Sequence, residues 1–208
     1  MLIQPSNGRS TIQIPSQNLD IRKSEPNAYA LVNAMRSMGY DPYRALMDIL
    51  DNSIDANADL IQIFVDHQDE SYKAPHKIAP KFNANSRIIV SDNGIGMDET
   101  TLVQAVRFGS FVNHDARTDL GLFGMGLKTA SLSFARRFTV LTRQTGGSLL
   151  KAIHDLDEIK RTNEFIVDFS APNADDLAYF NKVQGTKKAS GTIIILENLD
   201  KIGLTCVK

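Results

Sequence analysis

The sequence predicts an α+β fold, a two-layer α/β sandwich in which a mixed, mostly antiparallel sheet carries helices on one face. Two observations carry that expectation. The later part of the chain holds four strand-like runs, "RRFTVLTR", "GSLLKAI", "NEFIVDF" and "GTIIILENL", joined by hairpin-scale connections or modest insertions. Connections that short favour antiparallel pairing over repeated crossovers. The earlier part carries apolar residues at helical spacing in segments bounded by capping signals, with two strand-like runs between them.

Each element follows in order. Residues 1–25, beginning "MLIQPSNGRS", are polar and turn-rich and read as an arm or extension, leaving residues 26–208 as the domain. After Pro26, "NAYALVNAMRSMGY" has helical periodicity and stops at Gly39, a favourable C-cap residue. "DPYRALMDILDNSIDA" is a second helix with Asp41 as N-cap and Pro42 at its first position. "DLIQIFVD" alternates like a strand and "SRIIVSD" reads as a more buried one, with a long loop at residues 67–85 between them. "DETTLVQAVRF" is helical with Asp98 as N-cap, and "GMGLKTASLSFA" opens another helix before the late strands.

Composition narrows the function classes. The 208 residues are 42% hydrophobic and 23% charged, within the ordinary range of a globular protein. No apolar run approaches the roughly 20 residues of a membrane span. A single cysteine, Cys206, rules out an internal disulfide framework or a cysteine-based zinc site in one chain, and a reducing cytoplasm fits. The net charge of −1 gives no global pull toward nucleic acid or lipid. Basic pairs such as Arg136-Arg137 read as solvated surface, so no direct nucleic-acid site is evident.

The second helix is unusually polar for one that packs into a core. Asp48, Asn52 and Asp55 fall at i, i+4 and i+7 and share a face. One reading is a solvated face. Asp and Asn are poor mid-helix residues, however, and a plain surface is better served by Glu, Lys or Gln. The other reading is an oxygen-rich ledge, where an Asn carbonyl ligates magnesium beside phosphates and a carboxylate one turn earlier polarises a water. Two glycine motifs supply candidate partners. "SDNGIGMD" follows an apolar strand, and its alternative reading is a hairpin turn. Read functionally, Asp92 at the strand end accepts from an adenine amino group, Gly94 and Gly96 let backbone approach a flat base, and Met97 is an adaptable apolar wall. "GLFGMGLKTAS" opens a helix whose exposed N–H groups suit an anion. Leu127 between Gly126 and Lys128 breaks the Walker A pattern, and the Rossmann pattern is absent too.

Taken together and in this order, the three segments resemble the Bergerat-fold (GHKL) ATPases, the superfamily of gyrase B subunits, heat-shock chaperones, histidine kinases and MutL proteins. The helix resembles their N box, "SDNGIGM" the first glycine box, "GLFGMGLK" the second, and "GTIIIL" the later strand motif. The match covers roughly residues 28–199, and "DNSIDA" with "FGMGLK" is most similar to the MORC-like and MutL-like members. The resemblance implies ATP and magnesium as cofactors, with Asn52 as the magnesium ligand and Asp92 as the adenine reader. It implies Gly94, Gly96 and Met97 around the base, Gly121, Gly124 and Gly126 around the phosphates, and Thr192 behind the adenine. Lys128 either approaches phosphate or faces solvent. Residues from about 109 to 122 correspond to the lid, where Ser110, His114 and Arg117 are either phosphate contacts or ordinary loop polarity.

The sequence departs from the family at Asp48, which stands where a glutamate is usual as general base. A carboxylate drawn back by one methylene predicts slow hydrolysis, or binding without turnover. The sequence ends nine residues after Leu199, so the lysine that a following domain gives the γ-phosphate in the gyrase and MutL branches is expected from a further domain or partner. The implied function is a slow, magnesium-dependent ATPase whose lid closure controls homodimerisation or partner engagement, in a DNA-linked or defence system. The alternatives are a non-hydrolytic nucleotide sensor and a histidine-kinase catalytic domain.

Overall fold

The computed structural model describes residues 26–37, 41–68, 85–108, 126–185 and 190–202. The expected arm (residues 1–25), the Gly39 cap, most of the 67–85 loop, the lid with Gly121 and Gly124, and Cys206 lie outside the described residues.

Among the described residues six helices and five strands follow in the order α1 (Ala28–Ser37), α2 (Pro42–Asp55), β1 (Ile61–Asp66), β2 (Arg87–Asp92), α3 (Glu99–Val106), α4 (Gly126–Phe134), β3 (Ala135–Arg143), β4 (Leu150–Asp155), α5 (Leu156–Thr162), α6 (Ala174–Gln184) and β5 (Gly191–Leu199). The local signals act where expected. Asp41 caps α2, its carboxylate accepting from Tyr43 N at 2.9 Å, with Pro42 inside the first turn. Asp98 caps α3 by accepting from Thr101 N at 2.7 Å.

The strands form one sheet in the order β1-β2-β5-β3-β4, and every pairing between these strands is antiparallel. β5, the last of these strands in sequence, sits at the centre between β2 and β3. Alternation along it feeds two cores. Ile194 and Leu196 join Ile88, Val90, Phe138 and Val140 beneath α1 to α5, where Val32, Ala45, Ile49, Leu102, Phe134 and Leu156 meet them. Ile193 and Ile195 point the other way, with Ile89 and Leu141, onto Phe180 of α6. Each such buried aliphatic or aromatic side chain contributes about 1.5–3 kcal/mol.

The expected α+β fold is present, with α1 to α5 on one face and α6 added on the opposite one. One correction concerns residues 163–169, expected as a strand. They make a single antiparallel bridge, Ile153 with Asp168, at 2.8 and 2.9 Å. The cause is local. Asn163 takes the left-handed conformation (φ 56) that ends α5, and Phe165 and Phe169 are left exposed beyond it.

Candidate functional site

The site lies where the C-terminal part of α2, the ends of β2 and β5, and the start of α4 meet. α2 packs beside α4, and one row along it, Ala45, Ile49 and Ser53, is buried. A neighbouring face carries Asp48, half-buried, with Asn52 and Asp55 exposed. Asn52 donates from Nδ2 to the Asp48 backbone carbonyl at 2.8 Å.

Asp92 ends β2 and is almost completely buried. Its carboxylate accepts from Ser53 Oγ at 3.1 Å and from Gly94 N at 2.9 Å. Burial raises its pKa, opposed by the bonds from Gly94, Ser53 and the Thr192 backbone. An ionised carboxylate has about four acceptor sites, so capacity remains for an incoming N–H.

The glycine turn after Asp92 is compressed on two sides. A Cβ on Gly94 would lie 2.6 Å from the Ala56 carbonyl at the end of α2. Gly96 has φ +70, and a Cβ there would lie 2.1 Å from the Arg143 carbonyl at the end of β3. Neither position tolerates a side chain, which fixes the backbone between Asp92 and Met97. Met97 is half-buried and packs against the main core. Thr192 pairs with Asp92 in register on β5, and its hydroxyl lies 3.0 Å from that of Thr142. From the opposite face, Gln184 Nε2 donates to the Asp92 carbonyl at 2.6 Å and lies 3.4 Å from that of Thr192, tying the two strand ends together.

At Gly126 the geometry is the reverse of Gly94. A Cβ would meet none of the described residues within 4 Å. Lys128, two residues on, does not face solvent. It is fully buried, and its ammonium donates to the Arg107 carbonyl at 2.7 Å, beyond the end of α3. Burial lowers its pKa to about 8. His154 on β4 holds the preceding carbonyl, that of Val106, at 3.0 Å, stacked on Phe138 and edge-on to Phe108. Burial lowers the His154 pKa to about 4; the Val106 bond opposes this and the Lys128 charge adds to it. The neutral ring therefore donates through Nε2, and its Nδ1 has no hydrogen-bond partner.

Contacts join Asp92, Gly94, Gly96, Met97 and Thr192 into one network, while Asp48, Asn52 and Asp55 share a neighbouring face of α2 and Gly126 opens α4, which packs beside α2. Ser53, Thr142 and Gln184 belong to the same network and were missed in the sequence. Only Ser53 left a signal there, as a small polar residue in the apolar row of Ala45 and Ile49.

The domain is thus a helical layer on an antiparallel sheet, with a buried strand-end aspartate beside a glycine turn. Residues 40–192 match the sequence profile of the family described as histidine kinase-, DNA gyrase B-, and HSP90-like ATPase, and the chain belongs to that family. Among characterised proteins it is similar to ATPase MORC2B of Mus musculus, 23% identical over 189 residues covering 76% of this chain and 17% of the relative. ATPase MORC2A of Mus musculus is 25% identical over 189 residues with the same coverages. ATPase MORC2 of Homo sapiens is 24% identical over 103 residues, 49% of this chain and 9% of the relative. The chain therefore spans less than a fifth of the length of these relatives. No helix among the described residues is long and apolar enough to cross a membrane.

Proposed function

We propose that this domain binds ATP with magnesium between α2 and α4 and hydrolyses it slowly. The observation that carries the reading is the buried Asp92 carboxylate, held by Ser53 and Gly94 with acceptor capacity to spare, beside a glycine turn that admits no side chain. In this reading Asp92 accepts from the adenine amino group and Thr192 backs the ring. Gly94, Gly96 and Met97 form the base pocket. Gly121, Gly124 and Gly126 wrap the phosphates at the positive end of α4. Asp48 orients and deprotonates the attacking water.

For magnesium the protein would offer Asn52 Oδ1, with Asp55 at i+3 on the same exposed face, and phosphate oxygens would complete the shell, the arrangement magnesium favours. Bound there, the ion neutralises charge on the phosphate oxygens. Ordering of residues 109–122 over ATP, coupled to homodimerisation or partner engagement, follows only if ATP binds the closed state more tightly. A DNA-linked or defence setting extends the likeness to the MORC ATPases.

The second reading is a non-hydrolytic sensor, favoured by the short reach of Asp48. One experiment separates the two. Protein in excess is mixed with ATP and magnesium for a single turnover, and the bound nucleotide is identified. ADP that disappears in Asp48→Asn, with binding retained, supports hydrolysis with Asp48 as base. Intact ATP supports the sensor, and no bound nucleotide refutes both.

A further inference from the structure

We propose that Thr142 is a positioning residue that sets base specificity: its hydroxyl orients that of Thr192 so that Thr192 presents a proton, rather than a lone pair, to the base. The inference rests on the ATP reading above and adds to it a residue on a strand outside all of the recognised motifs.

Asp92, Thr192 and Thr142 stand opposite one another across β2, β5 and β3. Directly paired residues on one face have Cβ atoms about 4.5–5.5 Å apart, so the three side chains form a continuous row. Thr142 is fully buried, and its hydroxyl oxygen accepts from Met97 N at 2.9 Å. That bond ties the glycine turn to β3. The one proton on Thr142 then has two acceptors in reach, Thr192 Oγ1 at 3.0 Å and the Gly191 carbonyl at 3.2 Å. The distances favour Thr192, nearer the usual O–H···O length of about 2.8 Å.

The choice has a chemical consequence. When Thr142 donates to Thr192, the Thr192 proton is released to point elsewhere. When Thr142 donates to Gly191, Thr192 must donate back, and only lone pairs remain for a ligand. The first arrangement places an acceptor, Asp92, beside a donor, Thr192. Adenine presents the complement, an amino donor beside the N1 acceptor. A 6-oxopurine presents the reverse, an acceptor beside N1–H, and meets like against like at both positions. Thr142 thus fixes the polarity of the pair without touching the base.

The test measures dissociation constants of ATP, 1-deaza-ATP (which lacks the N1 acceptor) and inosine triphosphate for the wild type, Thr142→Val and Thr142→Ser. In the wild type, 1-deaza-ATP should bind about fivefold to tenfold more weakly than ATP, the worth of one hydrogen bond. In Thr142→Val the Thr192 hydroxyl loses the donor that orients it, so that difference should shrink, as should the preference for ATP over inosine triphosphate. Thr142→Ser should restore both. A residue needed only for packing would weaken ATP and 1-deaza-ATP equally in Thr142→Val, which overturns the proposal. Equal binding of the two ligands by the wild type overturns it without any variant, so a poorly folding Thr142→Val does not shield it. Failure of the wild type to bind ATP refutes the ATP reading itself, a separate outcome.

Discussion

Lys128 offers a prediction whose sign runs against intuition. Its ammonium is fully buried and meets one carbonyl, that of Arg107, with burial lowering the pKa from 10.5 to about 8. Between pH 8 and 10.5 the unfolded chain holds a proton that the native state has released, so stability rises with pH across that window. At about 1.4 kcal/mol per pH unit, the full change is up to roughly 3 kcal/mol. Below pH 8 both states are protonated and the desolvation cost is present in full. Lys128→Met keeps the apolar stem, removes the charge and leaves the Arg107 carbonyl without this donor, a loss of about 1 kcal/mol that offsets part of the gain. Urea unfolding of both proteins at pH 7, 8, 9 and 10 measures the difference, since the tyrosines titrate alike in each. The wild type should gain on the variant by at least 1 kcal/mol between pH 8 and 10, by this reckoning. Parallel curves would refute the claim that Lys128 is a buried cation. The same variant should raise amide exchange at the end of α3 in nucleotide-free protein, where a lysine devoted to phosphate would change nothing.

Other expectations follow from the same geometry. His154 is neutral when folded, with a pKa of about 4 against 6.5 unfolded, so acid favours the unfolded chain. The wild type should lose up to about 3 kcal/mol between pH 6.5 and 4 relative to His154→Asn, read by urea unfolding; equal losses would contradict the burial argument. Gly96→Ala puts a Cβ on a left-handed residue and against the Arg143 carbonyl, and should cost at least about 1–2 kcal/mol of stability as well as ATP affinity. Asp48→Glu restores the reach usual in the family and should raise single-turnover hydrolysis about tenfold or more at similar affinity. A lower rate would show that the site is built around the shorter carboxylate.

What the sequence disclosed depended on how local the cause was. The Asp41-Pro42 and Asp98 caps act within three residues and were legible from spacing alone. Asp92, Gly94 and Gly96 could be named from one short motif, whereas what compresses the turn, Ala56 and Arg143, is remote in sequence. Ser53, Thr142 and Gln184 act across separations of 39, 50 and 92 residues, which no periodicity encodes. Lys128 was read as phosphate contact or surface because charged side chains are rarely buried; only the packing of α4 shows its carbonyl partner. "NEFIVDF" has a strand's composition, yet its Asn163 is the left-handed cap of a helix that the sequence reading overlooked. The signals for that helix were present, with Asp157 and Glu158 in its first turn and Lys160 and Arg161 in its last. α6 likewise carries a complete capping box from Asn173 and Asp176, hidden among residues that read as a simple connection.

The central claim is that Asp92 is the base-reading acceptor of an ATP site, and calorimetric titration of ATP with magnesium into wild type and Asp92→Asn tests it most directly. The amide removes a charge that burial opposes but turns one of the two accepting oxygens into a donor, so the urea midpoint is measured alongside to show that the variant is folded. ATP affinity should fall at least about tenfold, because the carboxylate's charge-assisted bond to the amino group is lost. Undiminished ATP binding by Asp92→Asn, or none by the wild type, would contradict the account.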